Sequence, residues 1–190
     1  DRFLDRIRLT GGERLLDAMA GDGNLTLRLH DYCRRKGAEF PEVTVVEYSR
    51  VQYEFARAAL ANLPVRIMWG DALTMADRET GEPLPEASFD RVVIKSANHE
   101  IPLDQQDRLY ESIFRVLKPG GLFVNLGFLF DDAAERDELR EVARVKDTLA
   151  GMHTAAVRRH FLTREELYSR LARVGFLDVT AAEAIDYRID

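Results

Sequence analysis

The sequence predicts a doubly wound α/β fold, a largely parallel sheet with helices on both faces. Three observations carry this reading. Short, almost wholly apolar runs alternate with helical patterns from one end of the chain to the other. Those runs are apolar on both sides of the pleat, as expected for strands covered on both faces. Glycine turns and acidic residues follow successive runs, at the sheet edge where such folds bind ligands.

The strand runs are Arg14–Ala18, Val43–Glu47, Val65–Trp69, Arg91–Ser96 and Gly121–Phe128. Between them, Leu25, Leu29 and Cys33 form one stripe at helical spacing, Val51, Phe55 and Leu63 a second, and Leu109, Ile113 and Leu117 a third. Ser49 with Gln52 and Thr163 with Glu166 have the spacing of capping boxes. Asp131 to Gly151 reads as a charged helix with Leu139, Val142, Val145 and Leu149 along one face. A further helix follows from Thr163 to Val174, then strands near Phe176–Ala181 and Ala184–Ile189. The turn between these last two is too short for a parallel crossover, so they are expected to form an antiparallel hairpin.

Composition narrows the class. The chain has 190 residues, enough for one domain with its own core, and no repeat or linker divides it. One cysteine, Cys33, allows neither an internal disulfide nor a cysteine-based zinc cluster, which points to a reducing, cytoplasmic setting. Four scattered histidines give no metal-ligand spacing, so no metal is expected. The longest apolar runs fall well short of the roughly 18 residues that cross a bilayer. A formal charge of −6 and the lack of a basic run argue against nucleic acid as partner. The chain opens at Asp1 rather than Met, which suggests that an N-terminal piece is missing.

The chemistry sits at three strand ends. Gly21 and Gly23 follow the first run, where the absence of a Cβ lets a ligand approach the backbone. Glu47 ends the second run, where a carboxylate can accept both hydroxyls of a ribose. Gly70–Asp71–Ala72 ends the third, where Asp71 and a neighbouring backbone N–H can together read an adenine edge. A dinucleotide and S-adenosylmethionine both offer a ribose and an adenine. The dinucleotide pattern needs a third small residue where this chain has Thr26, which disfavours a nicotinamide-dependent oxidoreductase.

With DAMAGDGN, VVEYS, WGDA, SFDRVVIKSANHEI, RVLKPGG and HFLTREELYSRLARVGFLDV in that order, the chain resembles the class I S-adenosylmethionine-dependent methyltransferases of small-molecule type, nearly end to end. The resemblance implies a Rossmann-like doubly wound sheet of strand order 3-2-1-4-5-7-6 with strand 7 antiparallel, and one domain over residues 1–190. It implies S-adenosyl-L-methionine as cofactor, with Asp17 near the methionine amino group, and Gly21, Gly23 and Asn24 in the turn that wraps it. It further places Glu47 on the ribose, Tyr48 against the adenine, Asp71 and Ala72 at the adenine edge, and Lys95 or Ser96 by the methionine moiety. Met19 stands where the family commonly has glycine, so its backbone is expected to leave the glycine conformation and its side chain to crowd the loop.

Methyl transfer from a sulfonium mainly requires positioning of the acceptor, and a base is optional. His99 is the candidate base, with Glu100 beside it as orienter or second base. Residues 131–162 occupy the place of a lid over the acceptor. Their basic stretch, with Lys146, Arg158, Arg159 and His160, could hold an acidic substrate or pair with the preceding acidic helix. The expected reaction is methylation of a small molecule at oxygen, carbon or nitrogen. The competing readings are a catalytically silent cofactor-binding or scaffolding domain, and a methyltransferase acting on protein or RNA.

Overall fold

In the computed structural model, which describes residues 2–151 and 159–181, the predicted alternation becomes a six-stranded sheet. A short helix, α1 (Arg2–Arg6), precedes β1 (Arg14–Ala18), α2 (Asn24–Lys36), β2 (Glu42–Glu47), α3 (Arg50–Ala59) and β3 (Val65–Asp71). There follow β4 (Ala76–Asp77), β5 (Phe89–Lys95), a 3₁₀ turn (Asn98–Glu100), α4 (Gln106–Val116), β6 (Leu117–Leu126), α5 (Ala133–Leu149) and α6 (Arg164–Val174).

The strand order is β4-β3-β2-β1-β5-β6, and every pairing from β3 to β6 is parallel. That stretch reproduces the 3-2-1-4-5 part of the expected order. The expected closing hairpin differs. Phe176–Ala181 carries no strand, and Ala184–Ile189 lies outside the described residues. Gly175 ends α6 in the left-handed region and Phe176 then turns onto Phe114 and Phe123, with ring centroids 5.2 and 5.7 Å away. The antiparallel strand of the described sheet is β4, at the opposite edge, paired with Gly70 and Asp71 of β3.

Neighbouring residues of each central strand serve opposite faces, which is why the runs are continuously apolar. Leu16, Val46, Val92 and Ile94 pack with Leu109, Tyr110 and Ile113 of α4 and Leu167 and Leu171 of α6. Leu15, Val45 and Val93 pack with Leu25, Leu29 and Cys33 of α2 and with Leu4 and Ile7 from the N-terminal segment. The α2 and α4 stripes are thus buried as expected.

The α3 stripe is not. Val51 and Phe55 are exposed, and the helix instead buries Ala56, with Leu60 just past its end. The reason lies in the glycine turn. A Cβ on Gly23 would stand 2.9 Å from Leu60 Cδ1 and 3.4 Å from Ala56 Cβ, so α2 and α3 meet where that side chain is missing. Gly23 also has φ 81°, a left-handed backbone that favours glycine. Gly23→Ala is therefore expected to destabilise the fold by about 1–3 kcal/mol through overpacking, read as a lower urea midpoint with the slope unchanged.

Of the two capping boxes, Thr163 and Glu166 form theirs completely: the Glu166 N–H donates to Thr163 Oγ1 at 3.2 Å and the Thr163 N–H to Glu166 Oε2 at 2.8 Å. Ser49 caps α3 by accepting from the Gln52 N–H at 3.5 Å, and no return bond from Gln52 accompanies it. The expected helix from Asp131 forms as α5, but Val142, Val145 and Leu149 of its apolar face are exposed and Asp147 is buried.

Candidate functional site

The parallel strands carry their carboxyl ends to one edge, and the loops leaving β1, β2, β3 and β5 bring the predicted residues together there. Glu47 ends β2 with both oxygens engaged. The Gly21 N–H donates to Oε2 at 2.7 Å and the Ser49 N–H to Oε1 at 2.7 Å. One carboxylate thus ties the glycine turn after β1 to the start of α3. Each oxygen keeps a lone pair, so the group can still accept from a diol. Burial pushes the Glu47 carboxyl above the ordinary glutamate range, while the N–H groups of Ser49, Gly21 and Tyr48 pull it back.

Gly21 faces open space: a Cβ there would meet no atom within 4 Å. The two glycines therefore divide the work, Gly21 leaving the cleft clear and Gly23 admitting α3. Met19 corrects an expectation. Its backbone does not leave the glycine conformation but adopts φ 61°, in the left-handed region. Ser96, at the corresponding place after β5, has φ 54°. Two side-chain-bearing residues thus hold strained backbone at the ligand edge, where such strain concentrates in functional loops.

Asp17 is 1% exposed, inside the sheet rather than lining the opening. The Thr26 hydroxyl donates to its Oδ2 at 2.7 Å, so the residue that argued against a dinucleotide supports the first acid instead. Burial pushes the Asp17 carboxyl up to about 7. The Thr26 hydrogen bond and the charge of Lys95 oppose that shift, and Glu47 adds to it. Asn24 is turned to its own helix, accepting from Arg28 Nε at 2.8 Å.

On the side where the adenine is expected, Tyr48 is exposed, and the Trp69 indole N–H donates to its carbonyl at 2.8 Å. The Arg78 guanidinium lies 4.1 Å from the Tyr48 ring centroid. Asp71 Oδ1 accepts from the Leu73 N–H at 2.8 Å, which fixes the carboxylate beside buried Ala72. Nothing in the sequence pattern singled out Arg78, because β4 is too short to register as a strand.

Beyond β5, Lys95 and Ser96 are exposed and the 3₁₀ turn follows. His99 is buried against Phe128 and Phe161, with ring centroids 5.6 and 5.3 Å away. Arg159 Nη1 lies 3.1 Å from His99 Nε2. Arginine has only donors, so Nε2 accepts and the ring proton sits on Nδ1. Nδ1 has no hydrogen-bond partner among the described residues. Burial, then the charges of Arg159 and His160, lower the His99 pKa to about 4, so the ring is neutral near pH 7. Glu100 is exposed, with Oε1 3.6 Å from Arg159 Nη1, and Asp147 Oδ2 of α5 lies 3.8 Å from Arg159 Nε. The basic stretch therefore does pair with the acidic helix, through Arg159, while it also reaches the candidate base. The sequence put Glu100 beside His99 and offered a pairing of the basic stretch with the acidic helix, but its spacing gave no sign that these two pairs would meet at Arg159.

Comparison with known proteins points to one family. Residues 15–121 match the family model described as a methyltransferase domain. The chain is 28% identical over 178 residues to 24-methylenesterol C-methyltransferase 2 of Oryza sativa subsp. japonica, covering 93% of this chain and 44% of that protein. It is 30% identical over 128 residues to the ubiquinone/menaquinone biosynthesis C-methyltransferase UbiE of Coxiella burnetii, covering 67% and 48%. It is 29% identical over 153 residues to 27-O-demethylrifamycin SV methyltransferase of Amycolatopsis mediterranei, covering 76% and 51%. The chain thus spans about half the length of these relatives.

Among solved structures, an S-adenosylmethionine-dependent methyltransferase from Mesorhizobium loti superposes with TM-score 0.63 at 23% identity, over 90% of this chain and 78% of that one. The [4+2]-cyclase SpnF superposes with TM-score 0.67 at 24% identity, over 92% and 54%. One fold therefore carries both chemistries, and the fold alone does not name the reaction. The family model spans the glycine turn, all three acids and the turn bearing His99 and Glu100, and on that match the chain belongs to the methyltransferase-domain family.

Proposed function

We propose that the protein transfers a methyl group from S-adenosylmethionine to a small-molecule acceptor. The observation that carries this is Glu47, a buried carboxylate held by the N–H groups of two loops next to the uncovered Gly21. The residues fit the cofactor: Glu47 for the ribose hydroxyls, Tyr48 for the adenine face, and Asp71 with Ala72 for its edge. Lys95 and Ser96 stand toward the methionine end, with Asp17 beneath the loop. The bound cofactor supplies an activated methyl group on sulfonium.

The chain's own residues then orient the acceptor and take its proton. We place the acceptor end at His99 and Glu100, beside the end of α5 that carries Asp147 and the segment that begins at Arg159. Glu100 is the exposed proton acceptor of the pair. His99 serves as a base only after Arg159 withdraws from Nε2, since that lone pair is engaged. The relatives' names give sterol and quinone-pathway carbon and an O-demethylated rifamycin, and nitrogen nucleophiles are screened beside carbon and oxygen ones. Among the described residues no helix is long and apolar enough to cross a membrane. Cys33 is buried and unbridged, which supports a cytoplasmic setting.

The test begins with calorimetry of S-adenosylhomocysteine and NAD on the purified protein. Binding of the first and not the second is expected, and the reverse would overturn the reading. Methylation of quinone, phenol, amine and carboxylate acceptors then separates an enzyme from a silent domain, which would bind the cofactor and turn over none of them. With an active acceptor in hand, Glu100→Gln is expected to lower the rate by about 100-fold or more with S-adenosylhomocysteine affinity unchanged. A wild-type rate would remove Glu100 from the proton transfer.

A further inference from the structure

Arg159 sits among groups that attract cations, and it is held there loosely. Its single hydrogen bond in the cluster goes to His99 Nε2 at 3.1 Å. The approaches to Glu100 and Asp147, 3.6 and 3.8 Å, lie beyond hydrogen-bond distance, and neither is a two-pronged arginine–carboxylate pair. Asp147 is 8% exposed, and its Oδ2, the atom facing Arg159, has no hydrogen-bond partner among the described residues. A desolvated carboxylate oxygen without a donor is costly, and among the described residues Arg159 is the one permanent cation against these two carboxylates, with His160 adding charge only when protonated. Among the described residues α5 buries Asp147 while Val142, Val145 and Leu149 are exposed.

That balance decides what could replace the guanidinium. An anionic acceptor would add a third negative charge. A neutral one would leave Glu100 and Asp147 facing each other uncompensated once Arg159 moved. A cation restores the balance and supplies the donors that Asp147 Oδ2 and the freed His99 Nε2 lack. Against His99 stand the exposed Phe128 and the buried Phe161, with the buried Phe130 packed on Phe161, an aromatic wall suited to a cation or a ring.

We propose that the acceptor carries a protonated amine, and that the guanidinium of Arg159 holds its place between His99, Glu100 and Asp147 until it binds. The inference rests on the methyl-transfer reading and names its acceptor class. On transfer the ammonium gives one proton to Glu100, and the freed nitrogen pair forms the new N–C bond. The carbon–sulfur pair stays on sulfur, leaving a neutral thioether, and Glu100 returns its proton to water.

Binding of three benzyl-sized probes, benzylamine (protonated at neutral pH), benzyl alcohol and benzoate, tests this in the presence of S-adenosylhomocysteine. Wild-type protein is expected to take benzylamine in preference to the other two. Arg159→Ala should bind benzylamine about tenfold more tightly than wild type, because the competing cation is gone. Adding Asp147→Asn should abolish that gain. Arg159→Gln serves as a second variant should the alanine variant fold poorly, with S-adenosylhomocysteine affinity reporting an intact fold. Benzoate binding best in wild type and lost with Arg159 would overturn the proposal in favour of an anionic acceptor. Benzylamine binding no better in either Arg159 variant would overturn it in favour of a purely structural latch. Failure of S-adenosylhomocysteine to bind any form would instead sink the methyl-transfer reading itself.

Discussion

Asp17→Asn is expected to remove one large contribution to the pH dependence of folding stability between about pH 4 and pH 7, the loss that the wild type carries at this residue. In the native protein burial pushes the Asp17 carboxyl from 3.8 to about 7, whereas the unfolded chain ionises at the ordinary value. Across that window the native state therefore holds a proton that the unfolded state has released. Stability contributed by this group is fully present below pH 4, falls as pH rises, and levels off above pH 7. At 1.36 kcal/mol per unit the loss is on the order of 4 kcal/mol. Asparagine keeps an oxygen for the Thr26 hydroxyl and cannot ionise, so its stability should gain on that of the wild type progressively from about pH 4 to about pH 7. The opposite contribution of His99, whose pKa is lowered to about 4, is common to both proteins and cancels in the difference. Urea unfolding of both proteins at about pH 5 and about pH 8 measures the difference directly. Parallel profiles would mean that Asp17 is ionised in the native protein at ordinary pH.

How far the sequence reveals the site depends on the range of the interactions. The five parallel strands, the α2 and α4 stripes and the Thr163 capping box were legible because each rests on neighbours within one element. The order of glycine turn and acids was legible because strand ends of a doubly wound sheet share one edge. The α3 face failed because its orientation is set by Gly23 on another helix, not by its own hydrophobicity. Met19 failed because the loop, closed by the Ala20 N–H donating to the Val46 carbonyl at 3.1 Å, holds a left-handed backbone with methionine in it. Arg159, Asp147 and Arg78 were invisible for a related reason. Their partners lie 60, 12 and 30 positions away along the chain, and nothing in local spacing selects one arginine from a charged stretch.

Glu47→Ala should weaken S-adenosylhomocysteine binding by roughly 1.5–3 kcal/mol, about 10- to 150-fold in Kd, through loss of a charge-assisted hydrogen bond to the ribose. Two routes lead to that loss, and they separate experimentally. Directly, the diol loses its acceptor. Indirectly, the Gly21 and Ser49 N–H groups lose the oxygens that hold the two loops in register. Glu47→Gln keeps one oxygen but cannot serve both N–H groups, so an affinity between wild type and alanine is expected, with the urea midpoint following the same order. The pH dependence isolates the charge. Burial raises the Glu47 carboxyl, so wild-type affinity should begin to fall at a higher pH than an ordinary glutamate would give as the solution is acidified. Neither variant has a carboxylate to protonate at this position, and both should lose that step. An unchanged Kd in Glu47→Ala would show that Glu47 is only a brace between the loops, and the ribose would have to be sought elsewhere on the edge.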